Sequence, residues 1–157
     1  MAEKISLLDY KILNYLLEND SQNFSKVAKD LNVPVPTFHK RIRELKSNGV
    51  IKRFQPELNL DKLSLPVFAH IEIEVENPMH VHEIAKKFAN KSNITKIYKI
   101  VGNYDLLLGG YFSNPTQMNE LVEEIAKDEK IKSVHGNIIS HKYRDQQTPY
   151  PLKEATP

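Results

Sequence analysis

The stretch "PTFHKRIRELKSNGVI", residues 36–51, determines the fold that we predict for the N-terminal third of the chain. Phe38, Ile42 and Leu45 recur at helical spacing, so a helix would gather them into one narrow apolar stripe. Most of the basic residues between them point away from that stripe. The pattern therefore predicts a short amphipathic helix that packs through one edge and presents positive charge on the other.

Both ends of this helix are marked in the sequence. Pro36 has a backbone angle compatible with a first helical turn, and Gly49 suits the residue that closes a helix. We therefore predict a helix from about Pro36 to Asn48. The apolar residues that follow predict a short strand: Val50, Ile51 and Phe54.

Two further helices precede the basic one. Ser6 and Asp9 form the pattern of a capping box, and apolar residues then recur at helical spacing until the polar break at 18–23. Ser25 has the side chain of an N-cap for a second, shorter helix, and Asn32 suits the left-handed turn that ends such a helix. A short helix, a tight turn and a basic helix together make a helix-turn-helix motif.

A helix-turn-helix places its second helix in the major groove of DNA, where the N-terminal residues of that helix reach base edges. Arg and Lys donate hydrogen bonds to guanine and to phosphates, and His and Thr bond either group. A solvated helix face with surplus charge is the alternative that the residues leave open. We expect four residues to contact DNA directly: Thr37, His39, Lys40 and Arg43. We expect five more to aid through phosphates or packing: Lys26, Arg41, Lys46, Lys52 and Arg53.

Composition limits the class of protein. The 157 residues carry a net charge of +2 and no cysteine, which excludes a disulfide framework and cysteine-based zinc sites. The surplus positive charge lies in residues 1–60, which hold 10 Lys and Arg against 7 Asp and Glu. No apolar run is long enough to cross a bilayer, and none has the pattern of a secretion signal. These features predict a soluble, cytoplasmic chain.

No common catalytic or metal-binding motif is found in the sequence. His80 and His82 stand two residues apart, which on a helix directs them to different faces, and no third ligand lies at a suitable spacing. Phosphate-binding loops, nucleophile elbows and dinucleotide fingerprints are also missing. We therefore expect neither a metal site nor a cofactor.

The periodicity changes from Leu65 onward, where apolar and polar residues alternate as in a β-strand. Two segments that begin with Asn-Pro, at Asn77 and at Asn114, align without a gap at an offset of 37 residues. Each places apolar residues at the spacing of an amphipathic helix. Strand-like segments flank both helices: 65–76, 94–101, 105–112 and 131–143. The order βαββαβ predicts a ferredoxin-like α+β fold.

One face of the predicted sheet has no helix to cover it. Both helices of such a fold pack on the same side, yet Leu107 and Tyr111 point to the other side. An exposed apolar surface of this kind usually marks an interface. We therefore expect a second copy of the chain to pack there, sheet against sheet. A two-fold dimer would also supply paired recognition helices.

The sequence divides the chain into four parts. Pro56 and the segment that follows it mark a junction, and the Pro-rich C-terminal end, which contains Tyr150, predicts an arm or a disordered tail. The predicted boundaries are 1–54 for a helix-turn-helix domain, 55–64 for a linker, 65–143 for the βαββαβ domain and 144–157 for the tail.

Three segments resemble the N-terminal module of the leucine-responsive and asparagine regulator (Lrp/AsnC) family of prokaryotic transcription factors: LLDYKILNYL (7–16), FSKVAKDLNV (24–33) and TFHKRIRELKSNGVIKRF (37–54). The most specific part is Arg41-Ile42-x-x-Leu45-x-x-x-Gly49-Val50-Ile51. The resemblance implies a winged-type helix-turn-helix domain followed by a regulatory (RAM-type) domain of ferredoxin-like fold.

Three positions depart from the family pattern. Pro36 stands where a small hydroxyl residue is common, Asn23 where a basic residue is usual, and Ser64 where the family commonly has glycine. We expect the first two to alter phosphate contacts and the third to stiffen the hinge between the domains, without a change of fold.

The stretch VGNYDLLLGG, residues 101–110, contains a Gly-x-x-Asp pattern between two predicted strands. The plain interpretation is a tight turn, in which Gly102 takes a positive φ and Asp105 bonds local amides. In the family that the chain resembles, this turn lies beside the cleft where amino acids or similar small effectors bind between dimers. The resemblance implies an effector site made by Gly102, Asn103, Tyr104, Asp105, Asn137, Ile138 and Ile139.

The resemblance thus implies a sequence-specific transcriptional regulator that binds double-stranded DNA, further copies of itself in dimers, tetramers or octamers, and an amino acid or related molecule. The rival hypothesis is an enzyme of the siroheme decarboxylase type, which uses the same two domains to hold a tetrapyrrole with histidine and basic residues. An enzyme has no need of a cationic recognition face, which favours the regulator. A protein that mainly binds an effector or a partner is a third hypothesis.

Overall fold

The structure of the chain is a computed structural model that describes residues 5–19, 23–145, 148–149 and 151–153. The chain forms two compact units. The N-terminal unit comprises 1–56 together with 144–157, and the C-terminal unit comprises 57–143. The division differs from the predicted one in that the C-terminal segment joins the N-terminal unit instead of standing apart as a tail.

Three helices form the N-terminal unit: α1 (Leu7–Glu18), α2 (Phe24–Asp30) and α3 (Val35–Ser47). The capping box predicted for α1 is present, because the Ser6 hydroxyl accepts the Asp9 N–H and the Asp9 carboxylate accepts the Ser6 N–H at 2.8 Å. Apolar side chains from all three helices meet in one core. Its buried members are Ile12, Val27, Ala28, Phe38 and Ile42.

The second helix begins two residues earlier than predicted. Its N-cap is Asn23, whose side chain accepts a hydrogen bond from the Lys26 N–H at 3.1 Å. The prediction of Ser25 as N-cap was wrong, because an Asn close by serves this role at least as well as Ser. Asn32 has a φ of 53°, in the left-handed region as predicted, and it follows the end of the helix.

The basic helix begins at Val35, so Pro36 lies in its first turn, where its missing N–H has no helical acceptor to lose. Gly49 follows the helix with a φ of 72°, a conformation that glycine adopts without steric cost. The Ile51 N–H then donates to the Leu45 carbonyl at 3.0 Å, which satisfies one of the free carbonyls at the helix end.

The strand predicted at Val50, Ile51 and Phe54 is wrong. Residues 50–56 contain no strand, and most of them are exposed. A strand requires a neighbour for its backbone groups. In the described part of the N-terminal unit no other strand is present to pair with this segment, so the unit is a three-helix motif.

The C-terminal unit follows the predicted order βαββαβ: β1 (Val67–Val75), α4 (Val81–Ala89), β2 (Ile94–Lys99), β3 (Leu106–Phe112), α5 (Pro115–Ala126) and β4 (Ile131–Ile138). Neighbouring strands are antiparallel, and their order across the sheet is β2-β3-β1-β4. This is the ferredoxin-like arrangement that the sequence predicts. The last strand is shorter than predicted and ends at Ile138.

The two Asn-Pro segments begin their helical segments with the same device. The Asn77 side chain accepts the Met79 N–H at 3.0 Å and starts a short 3-10 turn that leads into α4. The Asn114 side chain accepts the Gln117 N–H at 2.9 Å and starts α5. In both, proline follows the cap at a position where an N–H would find no helical acceptor. The internal repeat in the sequence therefore corresponds to the same Asn cap and following proline at the start of both helical segments.

The predicted linker is partly ordered. A 3-10 turn spans Asp61–Leu63, and Ser64 then takes a φ of 62° before the chain enters β1. That left-handed conformation costs a non-glycine residue roughly 1 kcal/mol. The serine therefore holds a bend that glycine would make more easily.

The core of the C-terminal unit lies between the sheet and its two helices. Alternate residues of β1 and β3 point to this side, and the apolar stripes of α4 and α5 cover them. The largest fully buried side chains are Ile71, Ile73, Leu106, Leu108 and Phe112 from the strands and Ile84, Phe88 and Ile125 from the helices.

The opposite side of the sheet, which we call the open face, carries no helix. Phe68 lies opposite Tyr111 there, and their ring centroids are 4.6 Å apart. Leu107 lies opposite Glu72 on the same face. Glu74 accepts a hydrogen bond from the Lys132 ammonium at 2.7 Å. The open face is therefore partly apolar and partly charged.

Gly136 on β4 lies against α5 with no room for a side chain. A Cβ atom at this position would lie 2.9 Å from Met118 Sδ and 2.9 Å from Val122 Cγ2. The methionine can move, but a β-branched side chain on a helix has essentially one rotamer. Only glycine therefore fits between this strand and this helix without a shift.

We predict that Gly136→Ala lowers the free energy of unfolding of the C-terminal unit by about 1–3 kcal/mol, because the added methyl overpacks the contact with α5. Urea unfolding of the whole chain, followed by hydrogen exchange in the strands, measures the change. The double variant Gly136→Ala/Val122→Ala is the control, since it removes the obstructing methyls. Strict additivity of the two single changes would contradict the proposed clash.

Candidate nucleic-acid interface and ligand turn

The position of α3 is fixed by its apolar stripe. Phe38 is 0% exposed, and Ile42 and Leu45 are each 4% exposed. Phe24 at the start of α2 packs against the Phe38 ring with centroids 5.7 Å apart. Because this edge of the helix is inside the unit, the opposite edge faces outward.

Four of the predicted DNA-contacting residues lie on that outer edge, which we call the basic face: Thr37, His39, Lys40 and Arg43. All four are exposed. The Lys40 side chain is 69% exposed, and its only ion pair among the described residues is with Glu44 at 3.8 Å. Arg43 has no hydrogen-bond or ion-pair partner in the described part of the chain. Its guanidinium is therefore available to a partner outside the chain.

Aromatic rings contact two of the predicted DNA-binding residues, His39 of the basic face and Lys46 near the end of α3. The His39 ring contacts the rings of Phe24 and Phe38 edge-on, with centroids 6.0 and 6.3 Å away. The Lys46 ammonium lies 4.8 Å from the centre of the Phe54 ring, which itself packs on Phe24. A cation over an aromatic ring is attracted by its negative face. These contacts restrict where the two side chains point.

The remaining cations predicted to aid binding flank the helix in sequence. Lys26 lies on α2, and Lys52 and Arg53 lie in the extended segment after α3. All three are exposed, and among the residues that the structure describes none of them forms an ion pair. They add positive charge on either side of α3 in the chain.

Arg41 does not belong to the exposed set. Its Nε donates to Asp9 Oδ1 at 2.7 Å, its Nη2 donates to Asp9 Oδ2, and its Nη1 donates to Glu44 Oε2 at 2.8 Å. The Nη2 group also reaches the Ser6 hydroxyl at 3.3 Å. Of the two roles expected for Arg41, phosphate contact or packing, this geometry favours packing.

The Asp9 carboxylate is the centre of this network. Its side chain is only 1% exposed, and burial by itself raises the pKa of the carboxyl group. Hydrogen bonds from Arg41 and Ser6, together with the Arg41 charge, outweigh burial and hold the pKa of Asp9 below its usual value of 3.8. Asp9 therefore stays ionised and joins the start of α1 to the middle of α3.

The predicted effector turn has the local geometry of a structural turn. Gly102 has a φ of 156°, positive as predicted. The Asp105 carboxylate accepts the Val75 N–H at 2.9 Å, and the Asp105 N–H donates to the Ile73 carbonyl at 2.9 Å. One carboxylate oxygen thus holds the turn against the end of β1. Gly102 and Asn103 are exposed.

Asp105 and the end of β4 lie apart within one chain. Asp105 lies beside the C-terminal end of β1, whereas Asn137 pairs with His70 near its beginning. About four strand residues separate these positions, or about 13 Å along β1. Ile138 and Ile139 lie still further along β4. A site that uses Asp105 and Asn137 together therefore has to span this distance or take one of them from a second chain.

Two residues near the turn were missed by the sequence analysis. The His135 ring lies 5.5 Å from the ring of Tyr104, and Glu72 accepts a hydrogen bond from the Asn137 side-chain amide at 3.2 Å. Both stand on the open face beside predicted effector residues. Alternation along β1 and β4 places them on this face, but the sequence does not show which strands are neighbours.

The described residues offer neither a candidate metal site nor a candidate membrane span. Among them, no three His, Asp or Glu side chains cluster so as to hold a metal ion. In the same residues, no helix has both the length and the apolar character needed to span a membrane.

Two family profiles match the chain, one for each folded part. A profile described as "Winged helix-turn-helix DNA-binding" matches residues 5–52, which contain α1 to α3. A profile described as "Lrp/AsnC ligand binding domain" matches residues 66–149, more than half of the chain. The protein belongs to the Lrp/AsnC family of transcriptional regulators. The two parts of an Lrp/AsnC regulator thus follow each other in the expected order.

Whole proteins of this kind are similar over most of their length. An HTH-type transcriptional regulator of Pyrococcus furiosus is 30% identical over 135 residues, which is 86% of this Lrp/AsnC chain and 90% of the relative. AsnC of E. coli has the same fold, with a TM-score of 0.83 at 20% identity over 93% of this chain and 99% of that one. A transcriptional regulator of Neisseria meningitidis, solved in complex with L-methionine, has a TM-score of 0.84 at 15% identity over 92% and 95% of the two chains.

Membership of the Lrp/AsnC family confirms the resemblance on which the fold and the regulatory function were predicted. These matches give no support to the decarboxylase hypothesis. They do not assign roles to individual residues of this Lrp/AsnC chain, which rest on the geometry described above.

We predict that Asp9→Asn lowers the free energy of unfolding of the N-terminal unit by about 3 kcal/mol at pH 7, because it leaves the Arg41 charge without its buried partner. The pKa of Asp9 is depressed in the folded state, so this contribution is present above pH 3.8 and is lost as the pH falls through the folded pKa. The difference between wild type and variant therefore narrows in acid.

Urea unfolding at a series of pH values, followed by hydrogen exchange in α1 and α3, measures this effect. Glu18→Gln is the matched control, since it removes an exposed carboxylate from the same helix. We expect that control to change stability little. An equal loss in both variants at pH 7 would contradict the role given to the Asp9–Arg41 pair.

Proposed function

We propose that the protein regulates transcription by inserting α3 into the major groove of specific DNA sites. The observation that carries this proposal is the division of α3 into two edges. One edge is buried against the unit, and the other exposes Lys40 and Arg43 without strong partners among the described residues. A 13-residue helix spans about 20 Å, which suits the groove.

The predicted DNA-binding residues fall into two groups, those proposed to contact base edges and those proposed to contact phosphates. Arg43 has a fork of donors that fits the O6 and N7 acceptors of guanine, and Lys40 donates to the same edge. Thr37 and His39 stand in the first half of α3, from which such helices contact bases. Lys26, Lys46, Lys52 and Arg53 supply contacts to phosphates, which fix the position of the protein on the duplex.

The regulator acts as a dimer in this proposal. The open face combines the Phe68 and Tyr111 rings with Leu107, and a second sheet packed there would remove this apolar surface from water. A two-fold dimer presents two α3 helices and so fits a palindromic site. Assembly into tetramers or octamers would bring turns and strand ends of different chains together.

The effector in this proposal is an amino acid or a similar small molecule. The Neisseria meningitidis regulator of the same fold was solved with L-methionine. In this chain the backbone N–H groups of the exposed residues Gly102 and Asn103 are suited to donate hydrogen bonds to a carboxylate. Asp105 retains a second carboxylate oxygen that is suited to an ammonium group. Asn137, Ile138, Ile139 and Tyr104 would contribute from the same or a neighbouring chain.

The protein is a regulator rather than an enzyme in this proposal. A cationic face on a helix that also packs a core is needed for contact with DNA and is not needed for catalysis. A protein that binds DNA acts in the compartment that holds the DNA, which in a prokaryotic cell is the cytoplasm.

We predict that Arg43→Ala weakens binding to selected operator DNA by about 10- to 100-fold, because a bidentate contact to guanine contributes about 1–3 kcal/mol of discrimination. Lys26→Ala is expected to weaken specific and non-specific binding alike and to lower the slope of log K against log salt by about one unit. The operator is first selected from random duplexes by the wild-type protein, and fluorescence anisotropy then gives the affinities.

Lys86→Ala is the control for this experiment. Lys86 is an exposed lysine on α4 that forms no ion pair among the described residues, so its removal changes total charge but not the basic face. An equal effect of Arg43→Ala on operator and random DNA would reduce Arg43 to a phosphate contact. If neither Arg43→Ala nor Lys26→Ala changed the affinity for DNA, α3 would be refuted as the recognition helix.

We predict that one or a few amino acids raise the stability of the protein in a thermal-shift screen. A ligand at 100 times its dissociation constant adds about 2.7 kcal/mol of stability. Asn103→Ala tests the turn, because Asn103 is exposed and the change leaves the Asp105 bond to Val75 in place. A stabilising amino acid that acts equally on wild type and Asn103→Ala would place the effector elsewhere.

A further inference from the structure

The Asn14 side chain makes two hydrogen bonds to the backbone of a single distant residue. Its amide oxygen accepts the Leu152 N–H at 2.7 Å, and its amide nitrogen donates to the Leu152 carbonyl at 3.0 Å. The two residues are 138 positions apart in the chain. The carboxamide thus satisfies both backbone groups of Leu152, as a neighbouring residue does in a β-ladder.

This pair of bonds is specific for an extended peptide rather than for a particular side chain. A carboxamide matches a peptide group because it has one acceptor and two donors in fixed geometry. Asn14 and Leu152 are both half-buried, so neither can replace these bonds fully with water. Asn14 therefore marks a small docking site for backbone on α1.

The start of the same segment is held on the C-terminal unit. The Ile139 N–H donates to the Phe68 carbonyl at 2.9 Å, one step beyond the end of β4. The Lys142 ammonium then lies 4.2 Å from the centre of the Phe68 ring and 4.9 Å from that of Tyr111, and it donates to the Tyr111 hydroxyl at 2.9 Å. Lys142 is therefore fixed to the sheet by charge, aromatic contact and hydrogen bond.

The chain consequently passes between the two units twice. The first passage is at 56–57, after the helix-turn-helix, and the second is at 143–144, after the sheet. Leu152 lies ten positions after Lys142, and ten residue-to-residue steps of fully extended chain cover at most about 36 Å. While both ends are held, this short segment is a second covalent restraint beside the passage at 56–57.

We propose that α1 carries, at Asn14, a docking site for the C-terminal segment of its own chain, and that this segment acts as a second tether of the DNA-binding unit. Two tethers leave the unit fewer orientations than one linker does. The docked segment thereby narrows the set of half-site spacings that a dimer accepts. This last consequence rests on the proposed function, whereas the docking itself does not.

Hydrogen exchange of the Leu152 amide tests the docking without DNA. In the full-length wild type we expect this amide to exchange at least about tenfold more slowly than in a free peptide of the same sequence. Asn14→Leu removes donor and acceptor and should abolish the protection. Asn14→Asp keeps an acceptor and should retain part of it. Asn119→Leu on α5, an exposed asparagine outside this contact, is the control and should leave protection unchanged.

Substitutions at Leu152 test whether the C-terminal segment is what occupies the docking site at Asn14. Leu152→Pro removes the N–H that Asn14 accepts, whereas Leu152→Ala keeps both backbone bonds. We expect α1 amides to exchange faster in Leu152→Pro than in Leu152→Ala. Equal exchange of the α1 amides in Leu152→Pro and Leu152→Ala would overturn the docking. So would a wild-type Leu152 amide that exchanges as fast as the same amide in the free peptide.

The tether is tested with DNA. A set of operators with half-sites moved apart by one to five base pairs is titrated with wild type, Asn14→Leu and the Asn119→Leu control. We expect Asn14→Leu to lose less affinity on shifted operators than wild type and the control do. If hydrogen exchange confirms the docking but affinity depends on half-site spacing in the same way in all three proteins, the tether is refuted. Absence of DNA binding in all three would refute the proposed function and leave the exchange result standing.

Discussion

The structure of the N-terminal unit depends on one constraint, the burial of the Phe38, Ile42 and Leu45 edge of α3. With this edge inside, the rotation of the helix about its axis is fixed, and the direction of every other side chain on it follows. The Asp9–Arg41 pair adds a polar bond between the same helix and the capping box of α1. The exposure of Lys40 and Arg43 is thus a consequence of packing on the far side.

In the C-terminal unit, too, the burial of one apolar side determines what the other side exposes. Its two α-helices cover one side of the sheet, and residues 57–143, all of which the structure describes, contain no third α-helix for the other side. The open face therefore keeps the Phe68 and Tyr111 rings at the surface, where the chain covers part of them with its own Lys142. The side of the sheet that one chain leaves uncovered is also the surface proposed for a second chain. The assembly proposed for this protein follows from what the fold leaves uncovered.

The sequence predicted those parts of the structure that depend on local periodicity or on a single cap. The three helices, the βαββαβ order and the positive φ at Asn32 are of this kind. Ser25 was mistaken for a cap because two good capping residues stand close together, and only the packing of Phe24 decides between them. The strand at 50–54 failed because strands depend on a partner, which residue spacing cannot show. Of the site, the exposed face of α3 was predictable, whereas the Arg41 bond to Asp9, the Asp105 bond to Val75 and the Asn14 bond to Leu152 join residues far apart in sequence and have no local pattern.

The separation of roles on α3 bears on how such regulators diverge. Thr37, Lys40 and Arg43 are exposed, whereas Phe38, Ile42 and Leu45 are buried in the unit and Arg41 bonds to Asp9. If the first set reads bases as proposed, substitutions there would change which bases are read and leave folding intact, so duplicated copies of the gene could acquire new operators by few steps. His39 is the exception, since its ring touches two phenylalanines, and we expect it to change more slowly than its neighbours.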